Sequence, residues 1–241
     1  MVQKGKYGLK EVANVVFYDT ASGKPAIFFD SLKTSSIENA SESAEATGGQ
    51  GGGSLISWDY GRTATLALSD ALLSDKSLGL LAGASVQTEG IKVHAREVLP
   101  VVDGKVTLSN LPIDINKVSV FKSEGGVMLE EITTVTGLEK ELTLTGATGD
   151  VEVYYQYEAP TGATSVTFSS DKFPSTYKVV GDTLVRNTSG LDEAMQFVIY
   201  KAKLQSGFTF TMDVENVSTF DFTLNAMADP TTKKIYDIIR Y

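Results

Sequence analysis

The sequence predicts a mainly β protein: an antiparallel β-sandwich or barrel-forming domain with one flanking helix, carrying a small inserted β-sandwich module. Three observations predict it. Ile56, Trp58, Tyr60, Ala64, Leu66 and Leu68 alternate with Ser57, Asp59, Gly61, Thr63 and Thr65. A period of two with one apolar and one polar side is the pattern of an antiparallel strand half-buried on a core. Phe208, Phe210, Met212 and Val214 alternate in the same way with Thr209, Thr211, Asp213 and Glu215. Between these regions, from Val93 to Glu158, the chain changes to short strands separated by turns, the texture of a small sandwich.

In chain order, Leu9 to Thr20 holds Val12, Val15, Val16 and Phe17 and reads as a first strand, and Ser22-Gly23-Lys24-Pro25 turns the chain. Ala26 to Lys33 reads as the next strand. The segment from Glu38 to Ser54 that follows is built of Glu, Asn, Ser, Ala, Thr, Gln and Gly. Hairpin loops usually need two to five residues. A loop about three times longer, without apolar anchors, cannot pack itself and is best explained if a neighbouring molecule orders it. After the alternating strand, Ser69-Asp70 caps a helix through Leu72, Leu73, Leu80 and Leu81, and Gly83 stops it. Val118–Phe121 and Val151–Tyr157 are the clearest strands of the module, with turns at Asp103-Gly104 and Glu124-Gly125-Gly126. The host domain is therefore read as residues 1–92 and 159–241, and the insert as 93–158, its two ends expected close in space. Ser165–Phe168, Tyr177–Val180, Met195–Lys203 and Phe220–Ala226 continue the host strands, and Lys233 to Tyr241 fits either a strand or a helical turn.

Composition narrows the function. A formal net charge of −9, spread along 241 residues, argues against a protein that grips nucleic acid, because that affinity comes from clustered Lys and Arg. It suits a surface that nucleic acid passes without sticking, and equally an ordinary acidic protein. The absence of cysteine excludes disulfides, thiolate metal sites and cysteine nucleophiles. The N-terminal residues include Lys4 and Lys6 with no apolar run behind them, so no secretory signal is expected. Nothing approaches the length of a membrane-spanning helix, and no membrane partner is expected.

The residues of chemistry are sparse. A nucleophilic triad needs a general base within reach of a Ser or Cys, and the one histidine, His94, sits beside Arg96 and Glu97 on a strand-like stretch and reads as structural. Gly83-Ala84-Ser85-Val86-Gln87 lacks the closing glycine of a nucleophile elbow. Gly48 to Ser54 lacks the lysine of a phosphate-binding loop and runs into a strand. Asp213 and Glu215 share a strand face, but alternation with Thr209 and Thr211 makes that face a plain solvated one. Trp58, Tyr60 and Phe208 fall on the apolar sides of their strands and read as core. No enzyme, cofactor or metal is expected.

The strand pair around the long polar segment (Ala26 to Leu68), the helix directly after it (Ser69 to Gly83) and the C-terminal pair (Phe208–Glu215 and Phe220–Ala226) together resemble the major tail tube protein of tailed bacteriophages. The resemblance covers about residues 1–92 and 159–241 and is one of pattern and layout. Residues 93–158 depart from the compact form and read as an immunoglobulin-like module on the tube exterior. The resemblance implies a structural virion protein of the tail, assembled in the host cytoplasm. Six-fold rings would join their sheets into a barrel and stack, forming the channel for DNA ejection. Other tail proteins (tape measure, terminator, baseplate or sheath) would be its partners, and DNA would pass without specific binding. It further implies that Glu38, Ser41, Glu42, Glu45, Gly49, Gln50 and Gly52 belong to the inter-ring stacking loop. Asp59, Thr63, Thr65, Thr209, Thr211, Asp213 and Glu215 would face the lumen. The alternatives are a surface-binding module, such as an adhesin or carbohydrate-binding protein, and a capsid or decoration protein.

Overall fold

The computed structural model describes residues 5–208 and 219–241. Its elements, in chain order, are β1 Tyr7–Leu9, β2 Asn14–Asp19, β3 Pro25–Phe29, β4 Leu32–Gly48, β5 Gly53–Asp70, α1 Asp75–Ala82, β6 Lys92–Pro100, β7 Lys105–Thr107, β8 Ser119–Glu124, β9 Val127–Glu131, β10 Val135–Leu138, β11 Glu141–Leu144, β12 Asp150–Glu158, β13 Thr176–Asn187, β14 Asp192–Leu204, β15 Phe220–Ala226 and β16 Tyr236–Arg240. The protein is mainly β and antiparallel, with one α-helix and no closed barrel among the described residues. Thr209, Thr211, Asp213 and Glu215 lie outside the described residues.

Two compact units share the chain: residues 87–165 form one, and the described residues of 1–86 and 166–241 the other. The larger unit is a nine-stranded sheet in the order β3-β2-β13-β14-β15-β5-β4, with β1 added to β13 and β16 to β14. Its core gathers Val15, Phe17, Phe29, Leu66, Leu68, Val179, Ile199, Phe222 and Leu224. The rings of Phe17, Phe29 and Phe222 stack against one another at centroid distances of 5.1 to 6.3 Å. Such offset and edge contacts add to the burial of the rings themselves.

The predicted helix starts later than its leucines suggest. Asp70 is the last residue of β5, paired with both Phe220 and Leu32. Its buried carboxylate accepts hydrogen bonds from the Ser31 hydroxyl (2.5 Å) and the Leu72 amide (3.3 Å). The strand therefore claims Ser69 and Asp70, and Ser74 becomes the N-cap, sharing a reciprocal capping box with Ser77. Gly83 ends the helix in the left-handed region (φ 64°), and a Cβ there would lie 2.2 Å from the Phe173 carbonyl oxygen. Ser165–Phe168 forms no strand beyond a bridge at Ser165, and Lys233–Tyr241 resolves into strand β16.

Asp237 reinforces the pairing of β16 with β14: its carboxylate accepts a hydrogen bond from the Tyr200 hydroxyl and pairs with Lys234 at 2.9 Å. The Tyr200 hydrogen bond, then the Lys234 ammonium, lower the Asp237 pKa below the ordinary carboxylate range. A depressed carboxylate stabilises the fold above its unfolded value of about 4 and loses that contribution as pH falls through the folded value. Asp237→Asn should therefore flatten the acid limb of stability, with denaturation midpoints of variant and parent converging below about pH 4. Curves that stay parallel down to pH 2 would show that Asp237 does not reinforce that pairing.

The smaller unit has its own core of Val106, Leu108, Val120, Leu142, Leu144, Val151, Val153 and Tyr155 between the sheets β6-β12-β8-β9 and β10-β11-β7. Its ends meet: Gln87 and Ser165 exchange two backbone hydrogen bonds of 2.9 Å. Glu152 is 1% exposed on this sheet. The Tyr154 hydroxyl, followed by Arg96, hydrogen-bonds its carboxylate and lowers its pKa. His94 is exposed, with one ring nitrogen 2.7 Å from the Gln156 amide.

Candidate functional site: a projecting amphipathic hairpin

The segment from Glu38 to Ser54 is not a loop. β4 and β5 pair continuously from Leu32↔Asp70 to Gly48↔Gly53, leaving a four-residue tip, Gly49 to Gly52. Glu38, Ser41, Glu42 and Glu45 are strand residues of β4, while Gly49, Gln50 and Gly52 form the tip. Gly49, Gly51 and Gly52 take φ values of 80°, 91° and 64°, a conformation that glycine alone adopts without strain. β15 pairs with β5 over Ala64–Asp70. Beyond Ala64, among the described residues, β4 is the only partner of β5, and the hairpin projects as a two-stranded ribbon.

The alternation along β5 does not stay on one face. Ala40 pairs with Thr63 and Glu42 with Tyr60, so two steps on β4 oppose three on β5. The extra residue is a β-bulge at Gly61, whose φ is 61°. Directly opposed residues point to the same side, and one extra residue exchanges the faces. Ala64, Leu66 and Leu68 face the core with Asn39, Ile37 and Ser35. Ile56, Trp58 and Tyr60, in the same sequence phase, are carried to the opposite face, over Ala46, Ala44 and Glu42. Trp58 and Tyr60 are therefore exposed ridge residues, not core; Trp58 is 56% exposed. The bulge likewise separates Asp59, which shares the core-side face with Ser43, from Thr63 and Thr65, which share the ridge face with Ala40 and Glu38. Phe208 packs at the core's edge, against Phe168 and Phe220.

The result is a relief. On one face, large side chains of β5 stand over alanines of β4; on the other, Ser43, Glu45, Ser57 and Asp59 are polar. Burying a single large apolar side chain stabilises by about 1.5–3 kcal/mol, and Leu55, Ile56, Trp58 and Tyr60 are all exposed together. A two-stranded ribbon is marginal alone, and a contiguous apolar patch on it marks an interaction surface. Sequence reasoning missed the strand because β4 carries only small or charged residues in this stretch, which hide the period of two. The signals that could have revealed it were the length of β5, which needs a partner as long as itself, and Gly61, an isolated glycine inside a strand pattern.

Among the described residues no cluster of three or more His, Cys, Asp or Glu could hold a metal ion, and no helix is long and apolar enough to cross a membrane.

The model of the YomU/Tube protein family matches residues 7–241. A mainly β chain with an uncovered amphipathic hairpin thus belongs to the YomU/Tube protein family. A search of curated proteins found no match.

Proposed function

We propose that this chain is the structural subunit of a bacteriophage tail tube, polymerising as hexameric rings that stack into the channel for DNA ejection. The observation that carries the reading is the apolar ridge of the β4–β5 hairpin, which the subunit itself leaves uncovered; family membership supports it. The hairpin is the element that joins subunits, with Glu38, Ser41, Glu42, Glu45 and the Gly49–Gly52 tip among its contacts. With the ridge packed between subunits, Asp59 on the opposite face is left for the channel. Carboxylates repeated around a ring repel the phosphate backbone, and low-dielectric walls focus that field. The protein is a virion component and not an enzyme, and its partners are further copies of itself and the other tail proteins.

Electron microscopy of the purified protein tests this: stacked rings or tubes are expected, and dispersed monomers at every concentration would refute it. The 87–165 unit serves a separate, exterior role. Replacing residues 88–164 by a short turn joining Gln87 to Ser165, which already pair, should leave tubes of the same bore and smaller outer diameter. A shortened chain that fails to fold would place that unit in the core of the domain.

A further inference from the structure

The larger unit also carries an open apolar groove of about 320 Å³, lined by residues of β4, β5, β13, β14 and β16. Ile37, Leu66, Met195, Phe197 and Ile238 line it, with Leu9 at one end. Leu66, Met195 and Phe197 are buried at its floor, whereas Ile238 on β16 stands 56% exposed at its lip. Pockets of this size take small organic groups, and an indole with one aliphatic neighbour is such a group.

We infer that the hairpin ridge of one subunit, led by Trp58, docks in this groove of a second copy of the same chain; the inference rests on the assembly reading above. The occupant is another copy because the chain's own ridge cannot reach the groove. Ile37 and Leu66 lie on the core face of β4 and β5, and the bulge at Gly61 directs Trp58 to the opposite face of the same two strands. The charges at the rim fit this contact. Lys10 and Glu11 border the groove, and Lys10 offers a counter-charge to Glu42, which stands beside Tyr60 on the ridge face. Donor and receptor are different patches, so the contact is heterologous, and such contacts close into rings or run into filaments.

The chain contains no cysteine and a single tryptophan, which makes the contact directly readable. A variant carrying both Ile56→Cys and Ile238→Cys, both exposed in the subunit, should yield a ladder of covalent oligomers beyond the dimer on mild oxidation of assembled protein. Wild-type Trp58 fluorescence should move to shorter wavelength on assembly. Ile238→Lys should raise the concentration needed for assembly roughly tenfold or more with unchanged circular dichroism. Assembled tubes whose cross-links stop at dimers, or do not form, would overturn the groove as receptor while leaving self-assembly intact. Failure of the parent protein to assemble would overturn both, and microscopy of the same samples separates the two results.

Discussion

Replacing Gly181 with valine is expected to destabilise the larger unit strongly. Gly181 lies in β13, opposite Phe197 of β14 on one side and Val15 of β2 on the other. The Phe197 ring lies directly over it: a Cβ built on Gly181 would stand 2.1 Å from the ring's Cζ. Glycine in a strand interior ordinarily weakens the strand, so replacing one by alanine or valine is ordinarily neutral or helpful. Here Val15, Val179 and Ile199 beside the ring are fully buried, so the ring can give way only toward the groove that it lines with Met195 and Ile238. Overpacking a tight core costs about 1–3 kcal/mol, the range expected for Gly181→Ala. Valine's two further methyl groups push the loss to the top of that range or past it, a large share of a typical domain's stability of about 5–15 kcal/mol. Urea denaturation reads the first variant and soluble yield the second. Gly181→Ala combined with Phe197→Leu should be less destabilised than the sum of the two single changes, because the clash is shared. Strict additivity, or a Gly181→Ala variant as stable as its parent, would show that the ring is not seated on the glycine.

The same residue pair shows why part of the fold was legible and part was not. β13 and β14 announce themselves through Val179, Val180, Phe197, Val198 and Ile199, since buried strands need β-branched and aromatic side chains. Nothing in a single sequence says that Gly181 will face Phe197, because register depends on the partner strand. The helix was misplaced for a related reason. Leucine spacing proposed a start at Ser69, but pairing of Asp70 with Phe220 and Leu32 is a long-range contact that local periodicity does not contain. At the hairpin the alternation of β5 was correctly read and its consequence inverted. Ile56, Trp58 and Tyr60 continue the phase of Leu66, and only the bulge at Gly61, which needs the register of β4 to be seen, puts them on the other side. The polar composition of β4 suggested a flexible loop, whereas small and charged residues on a projecting ribbon meet the demands of a surface that waits for a partner.

Deleting Gly61 and Arg62 together should abolish assembly while leaving a folded subunit. Removing Gly61 takes out the bulge but leaves Tyr60 opposite Glu42; removing Arg62 as well sets Tyr60 opposite Ser41 and Trp58 opposite Ser43. Every residue between Ile56 and Tyr60 then exchanges faces. Trp58 would move to the side that carries Ser43 and Glu45, and Asp59 to the side of Ala44. The core below the bulge, Ala64, Leu66 and Leu68, keeps its partners, so circular dichroism and the denaturation midpoint of the monomer should change little. What is lost is the coherent ridge, and with it the burial of several large apolar side chains per contact. At about 1.5–3 kcal/mol for each, that loss shifts the assembly concentration by several orders of magnitude. Gly61→Ala is the control. It keeps the residue count and so the faces, and costs only the strain of a left-handed alanine, about 1 kcal/mol; it should still assemble. Tubes formed by the deletion variant, with Trp58 fluorescence shifted as in the parent, would mean that the face on which the ridge lies is immaterial, and that the hairpin acts through its backbone edges rather than its side chains.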